Sequence, residues 1–354
     1  MVWPTPKYSR NQVNKAGSIL IDEHSDLEDW VWAYQVLSNW RGCHGYPINT
    51  FQATLRQKLK KIDPDAIVAQ RLKRTPSIFN KLRRIPGMNL ARMQDIGGLR
   101  AVVNTIQQVK TLHSNYKSTK FTHTLVSEYD YIGTPKSSGY RSIHLVYRYK
   151  LQKPSPYDGL QLELQLRTRL QHAWATAVET VGTFLEQSLK SSEGPEEWLR
   201  FFSLTGSGFA YIEKAPLVPG YEHLSKRETF GEIAERSKLL GVRDILVGYR
   251  SAVQSTIGTS RAAYYLVELN LTPDQKKVSV TPFSRDQLEQ ASQAYSEAEQ
   301  RAADGAPIQV VLVSAGSVES LRRAYPNYFL DTHDFLEHLS QIERSARSSV
   351  SRAG

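Results

Sequence analysis

The sequence predicts an α/β (α+β) fold: strands separated by helices, followed by a small C-terminal ββαβα unit. Three observations carry that prediction. Residues 160–167 alternate almost without fault, with Leu160, Leu162, Leu164 and Leu166 on one face and Gln161, Glu163, Gln165 and Arg167 on the other. Helical periodicity lies on both sides of this strand, at 106–116 and at 169–190, the alternation expected of a sheet flanked by helices. Beyond about residue 260, two β-rich runs at 262–271 and 277–283 bracket Thr272-Pro-Asp-Gln, a hairpin signal.

The elements follow in order. Residues 1–22 form an N-terminal arm with no apolar stretch of signal-peptide type. Residues 23–65 read as a helical segment packing on the core. Ser25-Asp-Leu-Glu28 is a capping box ahead of Leu27, Trp30, Tyr34 and Leu37, and Phe51, Leu55, Leu59 and Ile62 share a face of a second helix after Pro47. The Trp30, Trp32 and Trp40 side chains suit core packing. The central domain spans 66–259: a basic helix after Pro76 that breaks at Pro86-Gly87, strands at 99–103, 143–149 and 160–167, and helices at 169–190, 222–240 and 242–257. The small domain at 260–343 adds a polar helix at 285–303, a strand at 308–314 and final helices from Val318. Residues 344–354, rich in Ser and Arg, read as a disordered tail.

Composition narrows the function. The chain has 354 residues and a net charge of +10. From 41 to 110 there are 14 Lys and Arg against three acids, Asp63, Asp65 and Asp95, a clustering that favours a polyanionic partner or else forms a solvated helix face. A single cysteine, Cys43, excludes an internal disulfide. No apolar run reaches the roughly 18 residues of a membrane span. His24, His44, His113 and His123 lack metal-ligand spacing. The chain reads as soluble, basic and cytoplasmic, with no membrane partner.

Three segments carry candidate chemistry. The first, Arg71-Leu-Lys73-Arg-Thr-Pro-Ser77-Ile-Phe-Asn-Lys81-Leu-Arg83-Arg84, has six cations in 14 residues and no acid. Ser77 and Lys81 lie one above the other on a helix, and such a cluster can neutralise a triphosphate or simply face solvent. The second is Asp95-Ile-Gly-Gly98-Leu-Arg100; a carboxylate at a strand entrance amid cations suits Mg²⁺, and an Asp turn cap is the alternative. The third joins a loop, Tyr131 to His144, to the polar face of Glu163, Gln165 and Arg167. Its tyrosines can stack on bases, and Lys136 and Arg141 can meet phosphates.

Together these segments resemble the RelA/SpoT nucleotidyltransferase-like synthetase domain, of the small alarmone synthetase and toxic small alarmone synthetase kind, over about residues 71–179. The family's ATP-side pattern falls on Arg71, Lys73, Ser77 and Lys81, its Asp-x-x-Gly-x-Arg motif on Asp95, Gly98 and Arg100, its guanosine loop on Tyr131, Pro135, Lys136, Gly139, Tyr140, Ser142 and His144, and its Glu-x-Gln-x-Arg-Thr strand on Glu163, Gln165, Arg167 and Thr168. The resemblance implies a mixed sheet and transfer of the β,γ-pyrophosphoryl group of ATP to a ribose 3′-hydroxyl of GDP or GTP. Asp95 and Glu163 would hold Mg²⁺, and Glu163 would also take the hydroxyl proton. Arg71 would stack on adenine; Lys73, Ser77, Lys81 and Arg100 would hold the triphosphate. Tyr131, Lys136, Tyr140, Ser142, His144, Gln165 and Arg167 would hold the acceptor, with Glu179 pointing toward the site.

Two positions depart from the family pattern: Ser138 stands where Asn is common, and Glu179-Thr180 where many small members have Glu-His. The only His-Asp dipeptide is His333-Asp334, so no hydrolase half is expected. Alternatives are a tRNA 3′-end pyrophosphokinase, which the basic patch and Ser138 favour, and a catalytically silent nucleotide- or RNA-binding module, against which Asp95 and Glu163 argue. The unit at 260–343 is expected to regulate, with Tyr264, Tyr265, Tyr325, Tyr328 and Phe329 docking on the core or on an antitoxin or activator protein.

Overall fold

A computed structural model of the chain describes residues 3–118, 122–184, 189, 194–251, 254–257, 262–270, 272, 277–314, 322–323, 325–329 and 331–350. Three helices lead: α1 (Arg10–Ile19), α2 (Leu27–Cys43) and α3 (Gly45–Ile62). The residue that caps α2 is Asp26, accepting from Asp29 N at 2.7 Å, while the Ser25 hydroxyl turns back to Ile19 O. Behind them runs a five-stranded mixed sheet, ordered β1 (Ile67–Leu72), β2 (Gly97–Val103), β5 (Gln161–Thr168), β4 (Ile143–Arg148), β3 (Thr124–Asp130). Within this sheet only β2 and β5 pair in parallel, Gly98 opposite Glu163. The helices α4 (Thr75–Arg84), α5 (Ile106–Ser118) and α6 (Arg169–Phe184) connect and extend these strands.

The alternation of 160–167 has the packing it predicted. Leu160, Leu162, Leu164 and Leu166 are buried in one core with Phe51, Leu55 and Leu59 of α3 and Leu99 and Ala101 of β2. Two strands had no such signal. β1 falls in the stretch that ends in the basic run, and β3 is an edge strand whose residues are mostly exposed, so neither alternates apolar with polar.

A second core joins α6 to α7 (Glu196–Glu213), α8 (Lys226–Leu239) and the last helix, α11 (His333–Val350). α7 carries Thr205, Gly206, Ser207 and Gly208 in mid-helix, weak helix formers that hid it from periodicity. The expected helix at 242–257 divides into α9 (Val242–Ser251) and a strand, β6 (Gln254–Ile257). That strand joins the C-terminal sheet, ordered β6, β8 (Lys277–Phe283), β7 (Tyr264–Asn270), β9 (Ile308–Ser314), against which α10 (Leu288–Ala303) packs. The second sheet therefore starts before residue 260. The tail expected to be disordered from 344 is helical to Val350, because Phe335, Leu339 and Ile342 of α11 are buried among Phe201, Phe202 and Phe209 of α7. The hairpin turn at 273–276, the end of the expected 169–190 helix and Val318 lie outside the described residues. Among the described residues, no helix is long and apolar enough to cross a membrane.

Candidate functional site

The central strands present one polar edge. β1 ends at Leu72, and Arg71 lies opposite Gly98 of β2. Lys73 N then donates to Ile96 O at 2.8 Å, which sets the Lys73 side chain beside Asp95 at the mouth of β2. Asp95 is held from two elements: Lys73 Nζ lies 2.8 Å from one carboxylate oxygen, and Lys81 Nζ, from α4, 2.8 Å from the other. Burial alone would raise this carboxyl, but the two ammonium groups overcome it and hold it at about 2. At Lys73, burial outweighs Asp95 and keeps the ammonium below its ordinary range.

Glu163 on β5 faces the same cleft. His144 Nδ1 lies 2.7 Å from its Oε1, and Gln165 Nε2 donates to its Oε2 at 2.7 Å. Burial pushes this carboxyl up and the Asp95 charge adds to that, yet the His144 and Gln165 bonds leave it below the usual range. The other His144 nitrogen is 2.8 Å from the Tyr140 hydroxyl. Burial raises that phenol to about 12, so it stays neutral and can donate. Two ionised carboxylates that feel each other across one cleft supply hard oxygen donors of the kind Mg²⁺ takes beside phosphate oxygens and water. Among the described residues, no group of three or more His, Cys, Asp or Glu could hold a metal alone.

The acceptor-side residues divide. Tyr131, Lys136, Tyr140 and His144 converge: Lys136 Nζ sits 4.3 Å from the Tyr131 ring centre and 5.6 Å from that of Tyr140, and Tyr140 meets His144 edge-on. The Ser142 and Arg167 side chains are both buried and bonded within the protein. The Ser142 hydroxyl is fully buried and donates to Leu166 O at 3.1 Å. Arg167 is buried against His172 Nδ1 at 2.6 Å, and burial, with Arg100 nearby, lowers it to about 9. Ser142 thus ties the start of β4 to β5, and Arg167 ties β5 to α6. Glu179 acts on Arg100 and Arg167 electrostatically, which places its charge toward the site. Ser77 is half-buried on α4, one turn before Lys81.

Residues 70–183 match the region found in RelA and SpoT proteins. The GTP pyrophosphokinase YjbM of Bacillus subtilis is 42% identical over 118 residues, which are 32% of this chain and 54% of YjbM. YwaC, a GTP pyrophosphokinase of the same organism, is 30% identical over 112 residues, 30% of this chain and 52% of YwaC. This chain thus spans about half the length of these curated relatives. The crystal structure of small alarmone synthetase 1 from Bacillus subtilis bound to pppGpp is 30% identical, covers 48% of this chain and 90% of that chain, and superposes with a TM-score of 0.40.

Two contributors to the cleft come from outside the RelA/SpoT region. The loop at 131–142 rests on α7. Gly139, at φ +92°, lies so close to Gly206 that a Cβ on Gly206 would meet Gly139 Cα at 2.8 Å, and Ser203 Oγ donates to Ser137 O at 2.6 Å. Tyr325 enters from the C-terminal unit. Its hydroxyl accepts from Gln70 N at 2.8 Å and donates to Gln70 O, completing the free peptide edge of β1, and the Arg100 guanidinium lies 5.8 Å from its ring centre. The cavity shared by Arg71, Lys73, Asp95, Arg100, Glu163 and Tyr325 is about 70 Å³. Ligand pockets generally measure roughly 300–1,000 Å³. The aromatic residues at 325–329 were legible as a docking element, but nothing in the sequence paired Tyr325 with Gln70.

Proposed function

We propose that this chain is an ATP-dependent pyrophosphokinase that transfers the β,γ-pyrophosphoryl group of ATP to the 3′-hydroxyl of a guanosine nucleotide, without hydrolase activity. The observation that carries this reading is the convergence of Asp95 and Glu163 with Lys73, Lys81 and Arg100 in one cleft, beside the Tyr131–Lys136–Tyr140–His144 cluster. The names of YjbM and YwaC as GTP pyrophosphokinases support it.

Glu163 accepts the proton of the attacking hydroxyl, and that oxygen bonds to the β-phosphorus as the bond to the α,β-bridging oxygen breaks, leaving AMP. Lys73, Lys81 and Arg100 hold the triphosphate oxygens where charge develops. Asp95 and Glu163 would hold Mg²⁺, which would supply neutralisation of the phosphate charge. His144, hydrogen-bonded to Glu163, keeps that carboxylate oriented and ionised. γ-Labelled ATP offered separately with GDP, GTP, AMP and bulk tRNA tests the reading; label on none of them overturns it.

A second acceptor, the 3′ end of tRNA, is favoured by the excess of cations at 41–110 and by Ser138. Transfer to tRNA that falls steeply with salt, together with failure on GDP and GTP, would establish it. The C-terminal unit regulates in either case. Tyr325 lies in the cavity between Arg71, which would stack on the ATP base, and Arg100, which would hold the triphosphate, so a protein partner that draws it off β1 opens the cleft. Tyr325→Ala in the full chain raises basal transfer on this reading; an unchanged rate removes it.

A further inference from the structure

The first turn of α4 is held from outside its own segment. Its N-cap residue is Arg74, whose side chain makes no capping hydrogen bond, and Pro76 follows within the first turn. The missing acceptor comes from α10. Glu299 Oε1 accepts from Thr75 N at 3.0 Å, and Oε2 accepts from Thr75 Oγ1 at 2.8 Å. Arg41 of α2 closes the arrangement: Nη1 lies 2.6 Å from Glu299 Oε2, and Nε donates to Lys73 O at 3.0 Å. Tyr295, one turn before Glu299, donates to Glu299 Oε1 at 2.6 Å and accepts from Arg41 Nη2 at 2.8 Å. Arg41, Thr75, Tyr295 and Glu299 are all buried.

These contacts fix the main chain at both Lys73 and Thr75, the turn that joins β1 to α4. Lys73 precedes that turn, and Ser77 and Lys81 follow it on the helix. The two ammonium groups meet on one carboxylate, Asp95, only if the turn holds its shape. A carboxylate at the N-terminal end of a helix satisfies an orphan N–H and complements the helix dipole.

We propose, resting on the pyrophosphokinase reading above, that Glu299 is a positioning residue for the ATP triphosphate. The C-terminal unit is then a staple as well as an obstruction. Glu299 on α10 holds the turn that aims Lys73, Ser77 and Lys81, while Tyr325, on a different element, fills the cleft. Activation separates the two contacts: Tyr325 leaves Gln70, and Glu299 stays on Thr75. A partner that pulled the whole unit away would open the cleft and at the same time loosen its cationic wall.

The test compares full-length variants by the affinity for a non-hydrolysable ATP analogue, the affinity for GDP, and the thermal midpoint. Tyr325→Ala removes the obstruction. The paired change Arg41→Met with Glu299→Leu removes the staple and exchanges a buried ion pair for apolar groups of similar volume, a swap that folded proteins tolerate. Tyr325→Ala is expected to tighten analogue binding. Adding the paired change should weaken it again by about tenfold or more, the scale of losing charge-assisted hydrogen bonds at the turn. GDP binding should stay nearly unchanged and serves as the folding control, while the thermal midpoint falls because Thr75 N, the Tyr295 hydroxyl and Lys73 O lose buried partners. Thr75→Val, which deletes one hydroxyl and keeps volume, should shift analogue binding the same way by less.

Analogue binding in the triple variant as tight as in Tyr325→Ala alone overturns the proposal. So does a paired variant that by itself gains affinity as Tyr325→Ala does, because the α10 contact would then be only a latch. If Tyr325→Ala changes nothing, the obstruction fails, and the staple is judged by the paired variant against the unaltered chain. An analogue that binds to none of them overturns the ATP reading and the staple together.

Discussion

His144 Nδ1 lies 2.7 Å from Glu163 Oε1, and the opposite nitrogen of the same ring lies 2.8 Å from the Tyr140 hydroxyl. One imidazole therefore joins the acceptor loop to the carboxylate proposed as base. In the neutral ring, Nδ1–H donates to Glu163 and Nε2 accepts from Tyr140, a complete donor–acceptor chain. Orientation of the base and shape of the acceptor pocket are thereby one property. Tyr140→Phe keeps the ring and breaks the chain, so it should lower the transfer rate more than it weakens acceptor binding. Steady-state kinetics with varied acceptor distinguish the two; a pure loss of acceptor affinity would assign Tyr140 to stacking alone.

Asp95→Asn and Glu163→Gln should each lower transfer by about 10²–10⁴-fold, the usual range for losing a general base or an electrostatic partner, with little change in folding. The two differ in what they leave behind. Asp95→Asn strands Lys73 and Lys81 side by side without their shared anion, so the analogue's phosphates should bind at least as tightly as before. Titration calorimetry with a non-hydrolysable ATP analogue checks this. Weaker binding in Asp95→Asn would mean that Asp95 is needed to place the lysines.

Gly206→Ala should damage the acceptor side selectively. Alanine suits a helix better than glycine, but its Cβ would stand 2.8 Å from Gly139 Cα and 3.0 Å from Gly139 O. Gly139 at φ +92° has no slack to yield, so the loop must shift. Such overpacking costs about 1–3 kcal/mol, and it should appear as weaker acceptor binding with ATP-analogue binding unchanged. Equal losses for both ligands would show that α7 supports the whole domain rather than the loop.

The last helix belongs to the body of the protein, although it follows the C-terminal sheet in sequence. Phe335 is fully buried against Phe201, Phe202 and Phe209. Phe335→Ala should cost about 3–5 kcal/mol, as buried aromatic truncations do, measurable by denaturant unfolding. A chain that stops before His333 uncovers the same aromatic cluster and should aggregate. A well-folded, soluble chain of that length would refute the assignment. The regulatory role of the small domain is thus tested by single substitutions such as Tyr325→Ala, since removing residues 260–354 also removes part of the main core.

What the sequence made legible follows from periodicity and motif. The Leu160–Leu166 face, the Glu163–Gln165 face and the α4 cations could be read because each lies within one element or beside its own strand. β3 and α7 could not. An exposed edge strand has no buried face to alternate, and the small residues that let α7 approach Gly139 are those that mask a helix. Ser142 and Arg167 read as ligand contacts because residue type says nothing about burial, and the structure sets them inward, toward Leu166 O and His172. Glu299 and Tyr325 act on residues more than 200 positions away, Thr75 and Gln70, and no local pattern marks such a pair.

The pH dependence of stability should carry the mark of Glu213. Its carboxyl lies at the end of α7, where its oxygens accept from the Thr168 hydroxyl and, at 2.9 Å, from Gln171 Nε2. Burial pushes it above its ordinary 4.5, and the two hydrogen bonds and Arg141 only partly offset that rise. The folded chain therefore binds this proton more tightly than the unfolded chain does. By linkage, stability falls with pH wherever the folded state holds more protons. The contribution is complete below 4.5, the unfolded value, and is lost as pH rises through the higher folded value. Glu213→Gln fixes the neutral state, keeps a carbonyl for the Thr168 hydroxyl and should cancel this decline. Thermal midpoints of the two proteins should converge near pH 4.5 and separate as pH rises toward neutrality, with the glutamine variant the more stable. An advantage for Glu at neutral pH would show instead that Arg141 and the hydrogen bonds outweigh burial, and that Glu213 works as an anion.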